Sequence, residues 1–570
     1  MKSPVFRPRL VDALRGYRRE DFAADLSAGV TVGVVALPLA MAFGIASGVK
    51  PEAGIFTAII AGFLVAALGG SKVQIGGPAG AFVALLYAIV ERYGVANLLI
   101  ATAMAGVLLF AMGALRMGQL IRYIPVPIVT GFTNGIAVII GLQQLKDFRG
   151  LSIPKMPSNF FSQLAALWSH LHTVNWAALW LGVVSLAIVV MWPKSYLPNH
   201  ARWRRWMARV PGTIAVLSLG VVAVGVFGLQ VDTIGSRFGG IPQGLPPFAL
   251  PAFDWHTAQN LVGPTISIAL LGAIESLLCA RVADGMIRDR HDPNQELMAQ
   301  GVANVVSPLF GGIAATGTIA RTVTNIRSGA RTPVAGMVHS ATLLAIVLVL
   351  APLAHDIPMA TLAAILLFVA WNMGEWSAFA RLRRYTMPYR ATMLSTFALT
   401  VVFDITVAVQ VGLVLASLFF IWRVSSLTRV DPVRLPADVA TLGDGSRVEA
   451  WRLFGSLFFG SVGKLEALAD PAGPQPDVVV LEMHQVIHLD TTGLDALETL
   501  LERLHAQGGT LAIAEPTAQP LSLLTRSGFV ERMGTHNLFE DLDVALATLR
   551  ARHAGAAADG SGPAAGPGNG

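Results

Sequence analysis

The sequence predicts an α-helical polytopic membrane protein of about fourteen spans, followed by a small α/β domain. Three observations predict it. Hydrophobic residues make up 54% of the 570 residues and charged residues only 13%. That is about half the charged share of soluble domains, too few charges to cover a water-facing globule of this size. Apolar runs broken by short loops fill the chain from about Leu26 to about Trp422. After Arg423 charges become frequent, and strand-like and helix-like patterns alternate. The composition excludes an ordinary soluble enzyme, and the apolar surplus excludes extensive disorder.

The elements follow in order. Residues 1–24 are polar and basic, and no apolar stretch with a small-residue cleavage site precedes the first span, so no cleaved signal peptide is expected. Spans are expected at 26–46, 54–68, 98–115, 124–142, 177–191, 212–227, 262–278, 334–350, 359–371, 393–407 and 409–422. A weaker one is expected near 297–310, and two short, interrupted ones at 76–90 and 311–326. The membrane domain then covers 25–425, with halves at 25–228 and 262–425. The α/β domain covers 435–550, and a Gly/Ala/Pro-rich tail, expected to be disordered, covers 551–570.

Net charge is +6. The basic residues sit in short clusters beside apolar runs, which reads as membrane topology and not as a nucleic-acid surface. With the N-terminus placed in the cytoplasm, the cytoplasmic loops carry Arg116 and Arg122, then Lys194, Arg202, Arg204, Arg205 and Arg209, then Arg288 and Arg290, then Arg381, Arg383, Arg384 and Arg390. The loop with Lys146, Arg149 and Lys155 is the exception. An even number of crossings returns the C-terminal domain to the cytoplasm, as expected of a multi-pass protein of a bacterial inner membrane. The single cysteine, Cys279, excludes an internal disulfide and reads as a packing residue.

The two interrupted segments are the specific signal. They read Lys72-Val-Gln-Ile-Gly-Gly-Pro-Ala-Gly-Ala-Phe82 and Gly311-Gly-Ile-Ala-Ala-Thr-Gly-Thr-Ile-Ala-Arg321. Each is a Gly-rich extended stretch leading into a short helix, third in its half of the membrane region. Paired broken helices at matching positions mark an inverted repeat. Non-helical backbone at membrane depth is tolerated only inside protein or beside a watery cavity. Pro78 is expected as the first residue of its helix, where a missing N–H costs nothing. The free amides around Ala79, Gly80 and Ala81 then face those of a second helix start at Thr316, Gly317 and Thr318. Two positive helix ends at one point make an anion site. The competing reading, glycine for tight helix packing, does not explain the paired occurrence.

Two ionisable residues fall in the same zone. Glu275 lies mid-span, where a carboxylate is costly and functional by default. Arg321 lies about one turn into the second short helix, placed to neutralise an anion or to pair with Glu275. The hydroxyls of Thr316 and Thr318 are candidate donors to the substrate, with bonding to the backbone as the alternative. Asp284, Asp289 and Glu296 read as loop residues. No nucleophile–base set, metal-ligand spacing or cofactor motif is present, so neither an enzyme nor a cofactor is expected.

The chain resembles the sulfate permease (SulP) family of anion transporters over about 25–550. The resemblance rests on Ala36-Leu-Pro-Leu-Ala-Met-Ala-Phe-Gly44, Gly76-Gly-Pro-Ala-Gly80, Gly272-Ala-Ile-Glu275, Asn294-Gln-Glu-Leu297, Gln300-Gly-Val-Ala-Asn304, and Phe310-Gly-Gly312 through Arg331-Thr332. It implies a seven-plus-seven inverted repeat, a core domain carrying the two half-helices, a gate domain as scaffold, and a homodimer. It also implies an anion held between the half-helices. In proton-coupled members a glutamate stands at the Glu275 position. The sodium-coupled bicarbonate branch has aspartate there and lacks the arginine supplied by Arg321. Leu39 stands where many proton-coupled relatives carry glutamine, as in the bicarbonate branch.

In the C-terminal part, strands are expected at 448–457, 477–483 and 510–514, and helices at 494–506 and 521–527. This alternation resembles the STAS domain that follows these transporters. Asp490 or Thr491 is a plausible helix cap. The turn Asp490-Thr491-Thr492-Gly493 matches a loop that is phosphorylated or partner-facing in anti-sigma-factor antagonists, so a cytoplasmic partner is implied. Secondary transport of an inorganic anion is the leading expectation, coupled to protons or by exchange. Sodium-coupled bicarbonate uptake, C4-dicarboxylate uptake, a passive anion channel, a nucleobase transporter and a membrane-anchored signalling protein are the alternatives. The residues alone do not choose among sulfate, bicarbonate and dicarboxylates.

Overall fold

The structure is a computed structural model. It describes residues 6–119, 125–192, 211–244, 248–250, 255–403, 405–442, 445–469 and 476–559. The chain divides into two compact units, Met1–Val414 and Leu415–Gly570. The basic residues expected at Arg122 and from Lys194 to Arg209 lie outside the described residues.

The first unit begins with a short helix, α1 (Arg9–Ala13). The first half of the membrane region follows as α2 (Arg19–Ala46), α3 (Pro51–Leu68), β1 (Gly76–Gly77), α4 (Gly80–Tyr93), α5 (Val95–Ala114), α6 (Val126–Arg149), α7 (Phe160–Ser169), α8 (Trp176–Met191), α9 (Gly212–Phe227) and α10 (Ile234–Phe238). The second half holds α11 (Trp255–Asn260), α12 (Val262–Ile287), α13 (Pro293–Val306), β2 (Thr316–Gly317), α14 (Ile319–Arg327), α15 (Val334–Leu350), α16 (Met359–Met373), α17 (Trp376–Ala380) and α18 (Met387–Val402). Helix α19 (Ile405–Leu427) crosses into the second unit. Among the described residues α2, α3, α5, α6 and α12 are long and apolar enough to cross a membrane, and α8, α9, α15 and α16 are shorter apolar helices. Large apolar side chains such as Trp176, Trp180, Val222, Val226 and Phe227 are exposed, as a lipid-facing surface requires.

Helix ends follow local chemistry. Asp292 caps α13, its Oδ1 accepting from the amides of Asn294 (2.9 Å) and Gln295 (3.1 Å), with Pro293 at the first helical position. Asn175 caps α8 in the same way. Gly150 closes α6 in the left-handed conformation. Helix α7 and the short α10 were not foreseen, because at ten and five residues each is too short to read as a span.

Helices approach closely where small residues face each other. Helix α5 packs on α13 with Gly106 and Gly301 at the crossing, where an added Cβ would stand 2.6 Å and 2.5 Å from backbone nitrogen of the other helix. The packing is reciprocal between halves: α5 lies on α13 and α15 on α3, α2 on α15 and α12 on α5, while α6 packs on α16.

In the second unit a five-stranded sheet has the order β3–β4–β5–β6–β7, comprising Arg429–Val433, Val448–Leu457, Val478–Leu489, Thr510–Ala514 and Leu538–Phe539. The first pair is antiparallel and the rest parallel. One face buries Leu481, Met483, Leu497, Leu500 and Phe529; the other buries Ala450, Val480, Ala512 and Leu549. The last helix, Leu542–Asp559, runs into the stretch expected as a disordered tail from 551, and residues 560–570 lie outside the described residues. That correction has a simple reason: 551–559 is rich in alanine, a strong helix former.

The junction of the two broken helices

Strands β1 and β2 form a two-residue antiparallel ladder, Gly76 opposite Gly317 and Gly77 opposite Thr316. The two interrupted segments are therefore in direct contact. Thr318 donates its amide and its hydroxyl to the Ile75 carbonyl, each at 2.9 Å. Ile75 returns its amide to Thr322 Oγ1 at 3.0 Å. Asn325 Nδ2 donates to the Val73 carbonyl at 2.9 Å. The whole extended stretch is buried, as a polar backbone at this depth must be. The two chains leave the ladder from opposite ends, and each helix begins within three residues of it.

Each side is also held by the other half of the molecule. Thr57 of α3 accepts from the Ile313 amide at 2.7 Å. Glu296 of α13 accepts from the amides of Gly70 (2.9 Å) and Ser71 (3.3 Å). Glu296, expected as a loop residue, is thus a buried carboxylate on a helix, bonded by two amides and by Gln300 Nε2. Asp284 too belongs to helix α12, and Asp289 does lie in a loop.

The helix starts differ from expectation by one or two residues. Helix α4 begins at Gly80 with Ala79 as an extended N-cap, so Pro78 lies before the helix and not at its first position. Helix α14 begins at Ile319, with Thr318 as its N-cap. Ala79 and Thr318 make no side-chain cap bond to their helices, which leaves the first-turn amides around Gly80, Ala81, Ile319 and Ala320 without intrahelical acceptors.

The hydroxyl donors expected at Thr316 and Thr318 are engaged by the protein. Thr316 Oγ1 donates to the Gly272 carbonyl at 3.1 Å and lies 2.7 Å from Ser276 Oγ. Ser276 Oγ accepts from the Gly317 amide at 3.3 Å. These three groups tie β2 to the turn of α12 that carries Glu275. Buried donors must be satisfied whether or not a ligand is present, and here the Gly272 and Ile75 carbonyls accept from these hydroxyls.

Arg321 is 2% exposed. Its Nη2 donates to the Pro78 carbonyl, while Nη1 is buried with no partner among the described residues. The guanidinium lies against Gly77, where a Cβ would stand 2.7 Å from Nη1. Gly77 has φ +147°, so its lack of a side chain serves both the backbone and the arginine. Gln74, which sequence reading did not single out, is buried beside β2 with both amide atoms unpartnered among the described residues. A glutamine just before a Gly-rich stretch at membrane depth was the available signal.

Glu275 is 8% exposed. Among the described residues it makes no ion pair and no hydrogen bond through its carboxylate, so the pairing with Arg321 is not realised. A cavity of about 540 Å³ opens along the same helix, lined by Ile274, Leu277 and Leu278, with Thr130 and Glu375 facing them. Cys279 donates to Thr322 Oγ1 at 3.3 Å and is fully buried, as a packing residue should be. In the second unit Asp490 caps its helix, accepting from the Gly493 amide at 2.8 Å; Thr491 is exposed and Thr492 half-buried.

Residues 22–396 match the sulfate permease family and residues 447–545 the STAS domain. The chain belongs to the sulfate permease family. Among relatives of this permease, YvdB of Bacillus subtilis (strain 168), provisionally named a sulfate transporter, is 41% identical over 537 residues, covering 94% of this chain and 99% of its own. The bicarbonate transporter BicA of Picosynechococcus sp. is 32% identical, covering 84% and 86%. The solved transmembrane domain of a cyanobacterial BicA superposes with a TM-score of 0.60 at 31% identity, over 70% of this chain and 98% of that one. The murine anion transporter Slc26a9 superposes over 95% and 94% of the two chains with a TM-score of 0.83 at 17% identity, a likeness of fold alone. The permease is a multi-pass membrane protein with a C-terminal STAS domain.

Proposed function

We propose that this permease is a secondary transporter of small inorganic anions, sulfate or bicarbonate, working by proton symport or by anion exchange. One observation carries the reading. A β1–β2 ladder joins two helix N-termini without side-chain caps, and one buried guanidinium beside them has an N–H group with no acceptor among the described residues. The amides of Gly80, Ala81, Ile319 and Ala320 and Arg321 Nη1 then hold the anion. Pro78 and Ala79 bring the chain to the helix, and Thr316, Gly317 and Thr318 serve as the frame.

Glu275 carries the coupling proton. A buried carboxylate without a partner is costly when ionised, and it stands next to Ser276, which bonds the frame of the anion site. Proton and anion thus load the same rigid body. That body moves past a scaffold built on α6 and α16, as an elevator does; the reciprocal packing of the two halves supports a seven-plus-seven inverted repeat with that division. Sulfate and bicarbonate are chosen because the names of the relatives carry those two anions. The chain is a homodimer in an inner membrane with both termini cytoplasmic, and the exposed Thr491 beside the Asp490 cap is a regulatory contact for a cytoplasmic partner.

The test is uptake into proteoliposomes with sulfate, bicarbonate and succinate, each with and without proton and sodium gradients. Sulfate or bicarbonate uptake driven by an acid-outside gradient is expected, and Glu275→Gln is expected to retain anion binding while losing pH-driven accumulation. Current without dependence on either gradient would move the reading to a channel.

A further inference from the structure

Away from the broken helices lies a cavity of about 830 Å³. Its walls come from the end of α2, the starts of α3 and α5, the end of α4, and the end of α6 with the loop that follows. Lys146 of α6 lines it and is only 9% exposed. Its ammonium has no hydrogen bond or ion pair with any described residue.

None of the described carboxylates nearby is in ion-pair contact with Lys146. Asp147 is paired with Arg237 at 2.6 Å. Glu91 accepts from the Ser158 amide at 3.0 Å. Glu52, which also lines the cavity, faces Lys50 at 3.8 Å through Oε1 and keeps a buried Oε2 without a hydrogen-bond partner among the described residues, and Asp232 is exposed. Lysines near helix C-termini commonly serve the last carbonyls, yet here the backbone already does so. The Leu151 amide donates to the Lys146 carbonyl at 2.9 Å, Gly150 to Asp147 at 3.3 Å, and Asn175 to Arg149 at 3.1 Å. A lysine so placed, with no carboxylate in ion-pair contact and no carbonyl to serve, is open to a counter-ion from solution. The neighbouring Gln143 also lines the cavity, with its buried Oε1 unpartnered.

We infer that Lys146 holds a second anion site, in the cavity at the α2–α3 end of the permease. Its ligand class is a small oxyanion, and the site concentrates that anion before it reaches the broken-helix junction. The inference rests on the reading of the chain as an anion transporter, but its binding test does not.

The test is acylation of Lys146 in the purified full chain by an amine-reactive reagent, followed by peptide mass spectrometry. Sulfate or bicarbonate is titrated against gluconate at constant ionic strength. By mass action, labelling of Lys146 is expected to slow about tenfold at an anion concentration about ten times Kd. Lys72, which lies outside the cavity with its side chain 36% exposed, serves as the control and keeps its rate. In uptake assays Lys146→Gln is expected to raise KM for the anion presented on that face by about fivefold or more, and Lys146→Arg to restore it. A Lys146 labelling rate unmoved by either anion, or a KM unchanged in Lys146→Gln, overturns the site. Anion protection without uptake of any anion by the unaltered chain would leave the site standing and remove the transport reading. Uptake without protection would do the reverse.

Discussion

Arg321, on the second broken helix, donates to the carbonyl of Pro78, just before the first. One guanidinium thereby bridges the two halves of the membrane unit at the point where both helices begin, and its Nη1 has no acceptor among the described residues. Arg321→Gln removes both the bridge and the cation. Since hydrogen bonds to a charged group are worth about 1.5–3 kcal/mol, uptake at limiting anion is expected to fall at least about tenfold. Arg321→Lys recovers only part of this, because an ammonium lacks the planar fork. Full activity in Arg321→Gln proteoliposomes would remove the arginine from the site.

Gly77→Ala asks two things of the ladder at once. The backbone has φ +147°, and the new Cβ would stand 2.7 Å from Arg321 Nη1. Strain of this kind costs about 1–3 kcal/mol. Both Tm and uptake are expected to drop. Gly94→Ala is the comparison, since Gly94 has φ +84° with nothing within 4 Å of a Cβ. It is expected to lower Tm without the additional loss of uptake. Equal loss of uptake in both variants would show that the Gly77 contact with the guanidinium is unimportant.

Thr316→Val separates frame from ligand. The hydroxyl serves the Gly272 carbonyl and Ser276, so its removal leaves buried partners unsatisfied, at about 1–3 kcal/mol. A lower Tm with KM for the anion unchanged is expected. A raised KM with normal Tm would show that the hydroxyl touches the anion after all.

Much of this was legible in the chain. Paired Gly-rich breaks at matching positions marked the junction before any coordinates, because only a cavity or a protein interior tolerates such backbone at membrane depth. Glu275 and Arg321 stood out as charges in apolar runs. Other features were not legible. Whether a threonine hydroxyl faces a ligand or a carbonyl depends on residues such as Gly272 and Ile75 brought close by tertiary packing. The helix starts moved because the Pro78 carbonyl is held by Arg321 and Thr318 bonds across to Ile75. Lys146 looked like a topological exception, and only the packing of α6 shows it buried and unpaired.

Asp289 gives a prediction in pH. Burial alone would raise its carboxyl, but hydrogen bonds from Lys72, the Arg290 backbone and Arg9 outweigh that and hold it below the usual aspartate range. The pairs, at 2.8 Å to Lys72 and 3.1 Å to Arg9, tie the stretch after α3 and the N-terminal segment to the loop after α12. A depressed folded pKa means that the stabilisation is complete above the unfolded value and is lost as pH falls through the folded one. Asp289→Asn is therefore expected to lower Tm at neutral pH, with the gap to the unaltered chain closing in acid. A gap independent of pH would contradict the sign.

The central claim is that one anion sits between two helix N-termini beside Arg321. Diffraction from crystals soaked in selenate, and separately in bromide, tests it most directly. An anomalous peak is expected within hydrogen-bond reach of the Gly80 and Ala81 amides, the Ile319 and Ala320 amides and Arg321 Nη1. No peak at the junction with either anion, or a peak only elsewhere in the molecule, would contradict it.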